Sequence, residues 1–208
     1  SWGTHNGDAG YYYMSYDMTV FSPTAFVFKP RSTYDNNYFY DGSYVLSQHN
    51  PWNLKKLRMA NVFEVKKADW NTKETLEAVS VGIGTPNTNY SIMIYEIDKK
   101  NKKPLSSKKL LSKPQKGHVD YPGNYTIDLD EGTAFSIEVT LTCPDRSLPK
   151  IFVSYTHGYS WLVMNEYVEP NQSYLIYDDS YYLDACDKNG QGYCSRIRAY
   201  TKDSTRKY

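Results

Sequence analysis

Asp35, Asn37 and Asp41 place three side-chain oxygens within a seven-residue stretch that is also rich in aromatics. Calcium takes about six to eight oxygens from carboxylates, amides, backbone carbonyls and water. These three residues are therefore candidate ligands for a structural Ca2+, with Asp178, Asp179 or Asp184 available from later strands. The same residue types also form Asx-turns, in which the side chain accepts from nearby backbone. A second acidic stretch, 184–192, contains Asp187, Asn189 and Gly190 but has Arg198 where a helix–loop–helix calcium loop needs its closing acid.

Sugar recognition asks for flat aromatic faces at the surface with polar groups beside them. Trp52 next to Asn50 and Pro51, Trp70 between Asp69 and Asn71, Tyr159 with Trp161, and the adjacent Tyr181 and Tyr182 are candidates. Trp161 also heads the apolar run Leu162, Val163 and Met164, which suits a core equally well. For catalysis the residues are wrongly arranged. Glu131, Glu138 and Glu166 are isolated, so no motif pairs two carboxylates for glycoside hydrolysis. Gly82-Ile83-Gly84 lacks the third glycine and the helix of a phosphate cradle. None of His5, His49, His118 and His157 forms a nucleophile motif with a cysteine. The chain alone is expected to be non-catalytic.

The elements that must position these residues read as strands. Residues 135–143 alternate strictly, with Phe135, Ile137, Val139, Leu141 and Cys143 on one face and Ser136, Glu138, Thr140 and Thr142 on the other. A hairpin connection precedes them, after the alternating run 125–129. Further strands are expected at 25–28, 57–65, 76–83, 90–97, 150–155, 174–177 and 195–201, punctuated by Gly, Pro, Asn and Asp. A single helical turn is expected within 70–77, where Asn71 or Thr72 could cap it. The fold class is therefore all-β: an antiparallel β-sandwich of the jelly-roll type. The 22 tyrosines against 7 phenylalanines suit half-buried strand faces and wet binding surfaces alike.

A net charge of +1 provides no field for nucleic acid or an anionic membrane, and no apolar run approaches a membrane span. Charge is nonetheless uneven. Residues 99–116 hold eight lysines and no acid, which fits either a solvated loop or a basic finger for anionic wall polymers. Three cysteines without a C-x-x-C argue against a zinc framework and a dense disulfide scaffold. Cys186 and Cys194 flank a Gly-rich stretch and either close a small loop or remain thiols.

Ser1, Trp2 and Gly3, followed by Gly7, Gly10 and an aromatic strand through Tyr16, resemble the closing motif of the papain-family cysteine peptidases. In that family an Asn before the Ser-Trp-Gly orients the catalytic His, and the Trp shields that hydrogen bond. Here Asn6 stands where the family usually has a Trp, and no catalytic Cys–His pair lies in the chain. The segments 25–28, 34–42, 60–63, 74–79, 89–90 and 197–201 resemble, in order, the lectin-like domain attached to surface peptidases of that kind.

The resemblance implies a division into residues 1–22, the terminal strand of a peptidase domain, 23–202, a lectin-like sandwich, and 203–208, a tail. It implies an accessory module, extracellular or at the cell surface, cut from a longer protein, with the adjoining peptidase domain and a cell-wall or surface glycan as partners. A self-standing adhesin and a structural spacer packed on the peptidase are the alternatives.

Overall fold

The computed structural model describes residues 33–42, 47–65, 72–97, 103–128, 135–155, 157–158, 165–166 and 168–205. Ser1, Trp2, Gly3, the strand expected at 25–28 and the boundary at residue 22 lie outside them. All the described residues except Thr33 fall in one compact unit, Tyr34–Tyr208.

In chain order the first strands are β1 (Asn36–Tyr38), β2 (Ser47–His49), β3 (Lys56–Phe63), β4 (Thr72–Ile83) and β5 (Thr88–Glu96). There follow β6 (Gln115–Val119), β7 (Gly123–Asp128), β8 (Phe135–Thr142), β9 (Ile151–Tyr155), β10 (His157–Gly158) and β11 (Asn165–Glu166). The last are β12 (Ser173–Ile176), β13 (Tyr182–Asp184), β14 (Tyr193–Ser195) and β15 (Ile197–Thr205). Two large antiparallel sheets result, beside a two-stranded pair of β10 and β11. One runs β13-β12-β3-β8-β5-β6; the other runs β1-β15-β4-β9-β14, with β7 on β4 and β2 on β9. No helix of the described residues is long and apolar enough to cross a membrane.

The core lies between the sheets and follows the alternation. Leu57, Met59 and Phe63 of β3, Ile137, Val139 and Leu141 of β8, and Ile92 and Ile94 of β5 face Leu76, Val79, Val81 and Ile83 of β4, Ile151 and Val153 of β9, and Ile197 of β15. Registers align these in rows, with Val139 opposite both Met59 and Ile92. Fully burying each such side chain contributes about 1.5–3 kcal/mol. Leu76 and Val79 differ in parity yet both point inward. A register shift explains this: Tyr200 pairs with Ala78 and Thr201 with Leu76, so Glu77 bulges out and the strand changes phase.

Two expectations change, and a third, in which the described lysines stay exposed, is refined. The turn expected within 70–77 is strand from Thr72 onward, because pairing with β15 overrides the weak capping signal. The segment expected as a tail from 203 is strand as far as Thr205, since Asp203, Ser204 and Thr205 still pair with β4. The lysine-rich segment, over its described part, folds back onto the protein. Pro104 is buried, Leu105 packs on a second apolar cluster, and Leu110 donates its amide to Ile94 O at 2.9 Å.

Candidate functional site

The outer face of the six-stranded sheet is not the solvated surface its polar residues suggest. Ala60, Val62, Tyr174, Ile176 and Ile97 form the second apolar cluster there, covered by Leu105 and Tyr182. Beside it Ser136 and Glu138 are both buried. Glu138 pairs directly with Ala60 on β3 and Met93 on β5, so Arg58 and Tyr95 are its diagonal neighbours from either side. Arg58 Nε donates to Glu138 Oε1 at 2.6 Å, and Tyr95 Oη donates to Oε2 at 2.9 Å. The guanidinium also donates through Nη2 to the exposed Asp179, at 2.8 Å.

Burial opposes the charge on Arg58, but its hydrogen bonds to Glu138 and Asp179 outweigh that and raise its pKa. Burial and the nearby Glu138 charge push the Tyr95 phenol upward too, so it remains a donor. Arg58, Glu138 and Tyr95 form the floor of a cavity of about 450 Å³ whose rim includes Lys56, Lys109, Tyr177 and Asp179.

Tyr177 links this floor to an aromatic strip. Its ring centroid lies 5.3 Å from that of Trp52 and 5.2 Å from that of Tyr181, with tilted planes. Trp52 is 64% exposed and Tyr181 52%, so both present faces to water. The backbone holds them in place. Trp52 and Asn53 adopt the left-handed region at φ 57° and 54°, inside the short 3-10 turn Pro51–Asn53. Such conformations cost non-glycine residues about 1–2 kcal/mol each. Asn50 sustains the turn: its Oδ1 accepts from Leu54 N at 2.9 Å, and its Nδ2 donates to Leu54 O at 2.8 Å and Pro149 O at 2.7 Å. The Tyr181 turn is set by Asp178, whose carboxylate accepts from Ser180 Oγ, Ser180 N and Tyr181 N. The Ser180 hydroxyl bond, then those amides, lower the Asp178 pKa.

Of the aromatic candidates, Trp52 and Tyr181 come together through Tyr177, which the sequence reading did not select. Tyr182 packs edge-on against Tyr174 at 5.7 Å instead and belongs to the second cluster. Trp70, Tyr159 and Trp161 lie outside the described residues.

The three candidate calcium ligands are engaged separately in the structure. Asp41 is buried and already engaged by two cations: Arg198 Nε donates to Oδ1 at 3.0 Å, Arg198 Nη2 to Oδ2 at 2.6 Å, and Arg196 Nε lies 2.9 Å from Oδ2. Asp35 Oδ2 accepts from Asp203 N at 2.8 Å, and Asn37 is an exposed residue of β1. Asp178 and Asp179 serve the turn and Arg58 just described, and Asp184 Oδ2 accepts from Asn171 N at 2.6 Å. Among the described residues no three His, Cys, Asp or Glu side chains gather as a metal site. Asp187 forms an Asx-type turn instead, accepting from Asn189 N at 2.8 Å and Gln191 N at 2.9 Å. Cys186 and Cys194 on either side of it are free thiols.

Two antiparallel sheets enclosing one core, with a partly buried polar face and an aromatic rim, define a β-sandwich of the lectin type. Residues 38–201 match the lectin-like domain family, and the chain belongs to that family. No curated protein matches the chain. Among solved structures it is similar to the cysteine protease and lectin-like domains of Cwp84, a surface layer associated protein of Clostridium difficile. That likeness has a TM-score of 0.56 at 18% identity, covering 71% of this chain and 32% of that one. It is also similar to the clostridial cysteine protease Cwp84 after propeptide cleavage, with a TM-score of 0.57 at 17% identity, over 80% of this chain and 40% of that one. The chain thus spans well under half of either structure, and at these identities the likeness is one of fold.

Proposed function

We propose that this chain is a non-catalytic, glycan-binding accessory module of a cell-surface cysteine peptidase, and that its sugar site is the strip Trp52, Tyr177 and Tyr181 above the Arg58 cavity. The exposure of Trp52 in a left-handed turn carries the reading. An apolar ring held in water at a cost in backbone strain is a placement that folding alone does not favour, and strain of this kind concentrates at ligand sites. Pyranose rings stack on such faces, while Arg58, Asp179 and Lys56 supply donors and acceptors for ring hydroxyls at the edge. The surface location and the adjoining peptidase domain are supported by the relative with the same fold, a surface layer associated protein.

The test is retention on purified cell-wall polysaccharide and on a glycan array. Trp52→Ala and Tyr181→Ala should each weaken binding roughly tenfold, equivalent to about 1.4 kcal/mol, with the thermal midpoint unchanged. Binding that is indifferent to both substitutions would remove this site, and peptide hydrolysis by the chain alone would remove the non-catalytic assignment.

A further inference from the structure

The aromatic strip occupies only one end of the outer face. Lys56, Ser91 and Thr140 line both the Arg58 cavity and a neighbouring one of about 600 Å³, so the two are continuous along the sheet. The second cavity differs in kind. Lys56, Lys116 and His118 line it together with the hydroxyls of Ser91, Thr140 and Thr142, and no carboxylate does.

We propose that this second cavity receives a negatively charged residue of a glycan chain whose neutral rings lie on Trp52, Tyr177 and Tyr181. The inference deepens the sugar-binding reading and rests on it. Four observations carry it. Lys56 and Lys116 are exposed and form no ion pair among the described residues, so their charges are available to a ligand. His118 is held in orientation, with Nδ1 2.8 Å from Asn89 Oδ1 and Nε2 3.4 Å from Asp120 Oδ1.

The cavity also has a built aromatic wall. Tyr90 pairs directly with Gly117, and a Cβ at 117 would fall 2.2 Å from the Tyr90 hydroxyl oxygen, so the ring lies across β6 only because that residue is glycine. Finally, the groove is electrically polarised. Glu138, Asp178 and Asp179 line the Tyr177 end and offset its Lys56, Arg58 and Lys109, whereas Lys56, Lys116 and His118 line the Tyr90 end with no carboxylate in the lining and only Asp120 behind His118. An anionic group is therefore held more favourably at the second end than at the balanced first, which gives a bound chain a preferred direction.

The experiment measures affinity for three polymers of matched length: a uronic-acid polysaccharide, a poly(glycerol phosphate) and a neutral glucan. Wild-type protein should bind one or both acidic polymers roughly tenfold tighter than the neutral one, and the difference should collapse in about 0.5 M NaCl. Which acidic polymer binds identifies carboxylate or phosphate as the anion. The Lys56→Gln/Lys116→Gln variant should bind the acidic polymers only as well as the neutral one, with neutral binding and thermal midpoint unchanged. Gly117→Val, which drives Tyr90 into the cavity, should weaken acidic binding as well. Equal binding of acidic and neutral polymers, or acidic binding untouched by the lysine substitutions, overturns the proposal while leaving the aromatic sugar site standing. Failure of wild-type protein to bind any polymer overturns both.

Discussion

Arg58 and Glu138 sit diagonally on adjacent strands, with Nε 2.6 Å from Oε1 and both side chains almost out of water. Removing one member of such a pair strands the other. Arg58→Met should therefore cost about 3–5 kcal/mol in urea denaturation, and Arg58→Met/Glu138→Leu should recover most of that loss. A single-variant cost below about 1 kcal/mol would mean that water solvates the pair and that the face is open.

Asp41 joins the segment after β1 to Arg196, between β14 and β15, and to Arg198 of β15, and Phe39 stacks on the Arg198 guanidinium at 5.0 Å. Asp41→Asn should destabilise by about 3–5 kcal/mol, because two guanidinium groups lose their shared counter-charge. Since these oxygens hold cations of the protein itself, EDTA should leave the thermal midpoint unchanged. A chelator-induced fall would show a bound metal that stabilises the fold.

Acid sensitivity should trace in part to His49. Its ring lies 4.2 Å from Tyr193, its Nδ1 is 3.4 Å from the Tyr155 hydroxyl, and burial lowers its pKa. The unfolded chain takes up a proton near the ordinary value of about 6.5, whereas the folded chain does so only below it. Stability is therefore intact above that pH and declines as pH falls through the window beneath it. His49→Gln should flatten this slope between about pH 7 and 5. An unchanged slope would place the acid sensitivity elsewhere.

The thiols should sort by burial. Cys194 lies fully within the sandwich and Cys186 is nearly so, and burial raises both pKa values. Cys143 is partly exposed beside Thr88 Oγ1 at 3.4 Å. Native alkylation should label Cys143 first, and all three only after denaturation. Early labelling of Cys194 would indicate opening of the β14 edge on the alkylation timescale.

The sheet architecture was legible because alternation is a local signal. The run Phe135, Ile137, Val139 and Leu141 is buried on the face its pattern assigns. The same pattern misplaces Glu138 and Arg58, since period two says only that they face away from the main core. Whether that side meets water depends on Leu105 and Tyr182, which arrive from distant parts of the chain. The β4 bulge was hidden for a similar reason: it is defined by the partner strand, and Leu76 and Val79 look merely out of phase. Trp52 and Tyr181 could be found from their turn-forming neighbours. Tyr177 could not, because its partners lie 125 residues upstream and four downstream in the chain and meet only in the fold.

In the finished sheet β15 lies between β1 and β4, with Asn36 opposite Thr201. A strand internal to this sheet is therefore contributed by residues far downstream of its edge neighbour β1. During synthesis β1 must wait on the order of ten seconds for the residues it pairs with, so this edge of the sheet completes only after the strands between them have been made.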